Sequence, residues 1–152
     1  MKPITTLLAC LICIQLFACN KNNEVTTSFN NISDTSRVKM KITIGSNTFN
    51  ATLYNNATAT AFKAMLPLTI NMTELNGNEK YFDLPDNLPA NSSNPGTIQT
   101  GDLMVYGSNT LVLFYKTFST SYNYSRIGRT DNPLGLADAL GSGNKAVKFE
   151  VE

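Results

Sequence analysis

The chain has 152 residues, 12 Lys and Arg against 11 Asp and Glu, and a charged fraction of only 15 %, well below the roughly 25 % of an average soluble domain. A formal charge of +1 removes the basic footprint of a nucleic-acid binder. The absence of histidine excludes histidine general bases, His-ligated zinc and every Ser-His or Cys-His nucleophile.

Residues 1–18 have the anatomy of a secretory signal. Lys2 gives a positive start, Ile4 to Phe17 is mostly apolar, and the stretch is too short for a comfortable membrane span. It ends in Leu16-Phe17-Ala18-Cys19, which resembles a bacterial lipobox, with a small residue just before the cysteine that would be cut free and lipidated. The alternative is an ordinary signal peptide with an incidental cysteine. Cys10 and Cys13 leave with the signal, so the chain from Cys19 onward has no spare thiol for a disulfide or a thiolate metal site. Two or three acyl chains anchor stably where one is marginal. The expected protein is therefore tethered at the bacterial cell envelope, with Asn20, where an Asp would mark inner-membrane retention, favouring the outer membrane. Residues 19–36, rich in Asn, Thr and Ser, read as a flexible tether, and residues 37–152 as the folded domain.

From Arg37 the pattern changes to alternation. With 19 Asn, 18 Thr and 11 Ser, the composition already favours strands and turns. Val38, Met40, Ile42 and Ile44 mark a strand, Gly45-Ser46-Asn47 a turn, and Thr48 to Tyr54 its return. Asn55 and Asn56 are capping residues, and Ala59, Phe62, Met65 and Leu66 follow at helical spacing until Pro67. Strands then follow at Leu68 to Leu75 and Glu79 to Leu84, around Asn76-Gly77-Asn78. The three prolines between Pro85 and Thr97 make a long irregular loop, a functional or mobile type of segment. Further strands span Leu103 to Tyr106, Thr110 to Phe118 and Tyr122 to Thr130. Asn132-Pro133 reads as the opening of a second helix, with Leu136 and Leu140 on one face and Gly141 as its stop. Lys145 to Glu152 closes the chain with Ala146, Phe149 and Val151 among charges. Eight strands and two short helices predict an all-β fold, an eight-stranded closed antiparallel β-barrel, because closure removes exposed edges.

Several short pieces occur in one order: Phe49-x-Ala51-x-Leu53, the capped helix ending Leu66-Pro67, Gly101-Asp102-Leu103, Leu113-Phe114-Tyr115, and Ile127-Gly128 followed by Gly135-Leu136. Together they resemble the minimal cyclophilin-like proteins of bacteria, here in lipoprotein form, over roughly Val38 to Glu152. The resemblance implies a barrel capped by a helix at each end. It also directs attention to a prolyl isomerase pocket, whose chemistry lowers a rotation barrier of about 18–20 kcal/mol without a nucleophile. The resemblance would put Tyr115 at the proline-facing phenylalanine, with Leu113 beside it, Gln99 at the pocket glutamine and Tyr124 at the pocket histidine. The arginine expected two residues after an aromatic of Tyr81-Phe82 is Leu84, and Arg126 is the nearest substitute.

The aromatic run through Phe114, Tyr115, Phe118, Tyr122 and Tyr124 has two readings, barrel core with cross-strand pairs or the wall of a ligand groove. Period 2 sends Val112 and Phe114 to one face and Leu111, Leu113 and Tyr115 to the other. Phe114 is expected in the core, and Tyr115 in a groove rimmed by residues 85–97. The candidate groove comprises Gln99, Leu113, Tyr115, Tyr122, Tyr124 and Arg126. Asp83 and Asp86, like Glu74 and Glu79, read as solvated pairs without a third metal ligand. The expected protein is a monomer with no cofactor, no metal and no nucleic-acid partner, held to the membrane by its lipid. It is a non-catalytic module binding a peptide, protein or small molecule. The alternative is a weak peptidyl-prolyl isomerase assisting exported proteins.

Overall fold

Alternation of apolar and polar residues builds the walls of the molecule. The computed structural model describes residues 37–152, so the signal sequence, Cys19 and the tether lie outside the described residues. In β1 (Lys39–Ile44), Met40, Ile42 and Ile44 point inward between solvent-facing lysines and threonine. The same period places Phe49, Ala51 and Leu53 of β2 (Asn47–Leu53) on the inner face, directly paired with β1.

The remaining wall strands are β3 (Leu68–Leu75), β4 (Glu79–Asp83), β6 (Asp102–Tyr106), β7 (Thr110–Phe114), β9 (Tyr124–Thr130) and β10 (Lys145–Val151). They close as β1-β10-β3-β4-β7-β6-β9-β2, every pairing antiparallel. This is the expected eight-stranded barrel. A separate two-stranded ribbon joins β5 (Thr97–Ile98) to β8 (Phe118–Ser119).

Helix α1 (Ala57–Ala64) is capped as its sequence suggests. Asn56 is extended, and its side-chain oxygen accepts from the Ala59 amide at 2.8 Å, a cap whose loss typically costs about 1 kcal/mol. Its Phe62 enters the barrel and meets Phe149 edge-on at 5.7 Å. Burying each such side chain contributes roughly 1.5–3 kcal/mol. Gly128 lets β9 approach β2, since a Cβ there would lie 2.6 Å from the Thr52 carbonyl oxygen.

Three expectations need correction. Helix α2 (Leu136–Leu140) starts after Gly135 at φ 80°, not at Pro133; Asn132 instead accepts from the Leu134 amide in a preceding turn. The strand from Thr110 stops at Phe114, because Phe118 leaves the wall to pair with Ile98. The proline-rich loop is tied down: Leu88 is buried in the core, the Pro89 carbonyl accepts from Thr58 at 2.6 Å, and Ser93 bridges to Tyr124. Among the described residues no helix is long and apolar enough to cross a membrane.

Candidate functional site

The two faces of the β4–β7–β6–β9 wall have different chemistry. Inside, Leu103, Val105, Leu111, Leu113 and Ile127 join the main core. Outside, Met104, Val112, Phe114 and Tyr124 form a second apolar layer with Ile98, covered in part by Phe118 and Tyr81. The β5–β8 ribbon supplies Ile98 and Phe118, with Phe118 5.8 Å from Phe114. Both faces of β7 are therefore apolar and buried.

Beside that cover the outer wall opens into a cleft of about 440 Å³. Strand β4 contributes Glu79, Tyr81 and Asp83, alternate residues on one face, which lie across from Phe114, Val112 and Thr110 of β7. Tyr106 of β6 stands opposite Tyr124 of β9, their rings 5.7 Å apart, and meets Tyr122 edge-on at 5.9 Å. Tyr124 in turn packs edge-on against Phe114 at 5.5 Å. Tyr124 is buried, whereas Tyr106 and Tyr122 are 48 % and 61 % exposed. Tyrosine suits such a place, apolar on one side and wet on the other.

Among the described residues no basic side chain lines the cleft. Burial pushes the Glu79 carboxyl above its ordinary range, and the nearby Glu74 charge adds to it. Burial also raises the Tyr124 hydroxyl, again reinforced by Glu79. Asp83 accepts from the Thr110 hydroxyl at 2.7 Å. The arrangement offers aromatic surface, hydroxyls and two carboxylates to a molecule entering the cleft.

The six expected groove residues divide. Tyr122 and Tyr124 line this cleft; Leu113 and Tyr115 do not, because they project inward with Leu111. Phe114, expected in the core, is outside in the second apolar layer. Gln99 sits in the turn before β6, its backbone N–H donating to the buried Asp102 carboxylate at 2.8 Å. Arg126 is exposed on β9 opposite Met104 and does not line the cleft. Residues 85–97 do not line it either. Leu84, at the position expected of an arginine, is buried in the barrel core.

At the barrel end, Glu74, Lys80 and Tyr115 form a buried polar knot. Lys80 is completely buried and donates to Glu74, to the Gly141 carbonyl at 2.8 Å and to the Gly143 carbonyl at 2.7 Å. All three ammonium donors are satisfied. Burial, with the hydrogen bond to Glu74, pushes the Tyr115 hydroxyl up to about 12. Burial alone would raise Glu74, but hydrogen bonds from Lys80, Tyr115 and the Gly77 amide outweigh it and hold the carboxyl low. Glu74 is thus no solvated partner of Glu79, as its place beside the turn had suggested. Among the described residues no three carboxylates or thiols gather to hold a metal ion.

Tyr81, Tyr106 and Val112 also line the cleft, outside the expected groove, and so do Glu79 and Asp83, expected only as members of solvated pairs. The signal was present in β4, where Glu79, Tyr81 and Asp83 share one face and Lys80 and Phe82 the other.

A family model described as a cyclophilin-like family matches residues 42–152. The solution structure of a hypothetical protein from Archaeoglobus fulgidus superimposes with a TM-score of 0.54 at 21 % identity, over 77 % of this chain and 96 % of that one. That likeness shows the fold. No curated protein matches the sequence.

Proposed function

The chain belongs to the cyclophilin-like family, and from that premise we propose that it is a non-catalytic binding module, anchored at the cell envelope through a lipid on Cys19, whose tyrosine cleft captures a peptide or small molecule. The observation that carries this reading is the cleft itself, about 440 Å³ of tyrosine-lined space on the outer barrel wall. It combines flat apolar surface with hydroxyl and carboxylate groups, the mixture expected of a capture site. Prolyl isomerase activity ranks second, because the position where the resemblance puts the essential arginine holds Leu84, packed in the barrel core.

Titration of the full chain with a panel of short peptides and metabolites, followed by thermal shift and by NMR, tests the proposal. Binding that perturbs Tyr106, Tyr122 and Tyr124 and weakens in Tyr122→Ala is the expected result. Turnover of a proline-containing test peptide at the rate of an ordinary cyclophilin would reverse the order of the two readings.

A further inference from the structure

Glu79 and Glu74 stand on neighbouring strands and differ in one respect. Glu74 has a buried lysine as its partner. Glu79, half-buried in the cleft, has neither a hydrogen bond nor an ion pair to its carboxylate among the described residues. Removing a carboxylate from water without a partner is unfavourable, and a cation entering the cleft would relieve that cost. The second carboxylate of the cleft, Asp83, is exposed and among the described residues is engaged only by the Thr110 hydroxyl, which leaves acceptor capacity on its oxygens.

Between the two carboxylates on the same face of β4 lies Tyr81, with Tyr106 and Tyr122 across the cleft. Aromatic faces attract a cation within about 6 Å of the ring centre. Charge and aromatic surface therefore select the same ligand, and among the described residues no basic side chain lines the cleft to oppose it. From this charge complementarity, and resting on the binding-module reading above, we infer that the cleft receives an extended peptide bearing lysine or arginine side chains.

The spacing selects a peptide over a small amine. Four residues along a strand that rises about 3.3 Å per residue put Glu79 and Asp83 roughly 13 Å apart. A single small ammonium ion engages one of them. An extended segment running beside β4, with basic side chains four residues apart, engages both.

The test uses the full chain in detergent micelles and calorimetric titration at low and moderate salt. Its probes are an acetylated, amidated peptide with lysines four residues apart, the same peptide with norleucine at both positions, and butylammonium chloride. The expected result is that the lysine peptide binds at least tenfold more tightly than the norleucine peptide, that added salt narrows the gap, and that Glu79→Gln and Asp83→Asn each reduce it. Butylammonium should bind at least tenfold more weakly than the lysine peptide. Equal binding of the norleucine peptide at the cleft overturns the cationic ligand and leaves the binding module standing. Equal binding of butylammonium overturns the peptide. No binding by any probe, with metabolites and neutral peptides binding elsewhere on the surface or nowhere, overturns both this inference and the proposed site. Thermal unfolding of each variant separates loss of recognition from loss of fold.

Discussion

The Tyr115 hydroxyl donates to the Glu74 carboxylate over 2.7 Å, from inside the barrel. That bond fixes which way the end of β7 faces. Leu111, Leu113 and Tyr115 line the interior, and Val112 and Phe114 carry the outer apolar layer. Glu74 and Lys80 are direct cross-strand partners of β3 and β4, so one knot joins three wall segments to the α2–β10 turn.

Glu74→Gln removes the only counter-charge that a fully buried ammonium has among the described residues. Breaking one partner of a buried pair costs about 3–5 kcal/mol. The Glu74 side chain is 23 % exposed, so the loss should fall toward the lower end of that range. Denaturant unfolding measures it. Adding Lys80→Met should restore part of the stability, since it removes the stranded charge, and a double variant no better than the single would refute this account of the knot.

The outer layer predicts a separation of stability from binding. Phe114 is completely buried, and truncation of such a ring costs roughly 3–5 kcal/mol. Tyr122 is 61 % exposed, and surface changes of that kind stay within about 0.5 kcal/mol. Phe114→Ala should therefore lower the unfolding midpoint strongly. Tyr122→Ala should leave it nearly unchanged while weakening ligand capture. Equal midpoints for the two variants would mean that the ribbon does not hold Phe114 in a packed layer.

The barrel was legible because most of its strands alternate cleanly, as Met40, Ile42 and Ile44 do between polar neighbours. The face of β7 was not. Leu111, Val112, Leu113 and Phe114 are all buried, since the β5–β8 ribbon dries the outside of the wall. Alternation separates two faces, but it names the inner one only where the other is polar. Lys80 was illegible for a different reason. A lysine reads as surface, and two of its three acceptors, Gly141 and Gly143, lie some sixty residues along the chain. Aromatic density points to Tyr122 and Tyr124, whereas Tyr81, beside Phe82 alone, carries no such signal in the sequence.

The raised carboxyl of Glu79 gives a pH dependence with a definite sign. A folded value above the unfolded one means that the folded chain binds more protons, so stability falls as pH rises. Below about pH 4, under the ordinary glutamate value, both states are protonated there and Glu79→Gln should match the parent. The variant should gain as pH climbs through the ordinary value toward the raised one, then hold a constant advantage. Glu74, whose repulsion contributes to the shift, keeps its own low value across this window. Thermal midpoints measured from pH 3 to 8 test the sign; a parent protein more stable than Glu79→Gln at neutral pH would contradict it.

Anchoring depends on one residue in the proposal, Cys19. Cys19→Ala should abolish incorporation of labelled fatty acid and leave the signal sequence attached, while the barrel domain keeps its β-sheet signature by circular dichroism. Continued processing and membrane retention of the variant would remove the lipid from the proposed function.

Leu84 stands where the resemblance to cyclophilins puts the isomerase arginine. Leu84 is 2 % exposed and belongs to the interior core, with its amide held by the Asn109 carbonyl at 2.8 Å and its own carbonyl by the Asn109 side chain at 3.1 Å. That backbone clamp fixes the direction of the side chain. Leu84→Arg would thus carry a guanidinium into apolar surroundings where nothing compensates its charge, which costs several kcal/mol even after relaxation. It should destabilise the fold and leave the outer cleft without an arginine. A charge-assisted hydrogen bond is about twice as strong as a neutral one, so an arginine that did reach a bound proline would register clearly in an isomerisation assay. The expected outcome is a lowered unfolding midpoint with no gain in rate. A folded Leu84→Arg variant that accelerates isomerisation would mean that position 84 faces the substrate after all.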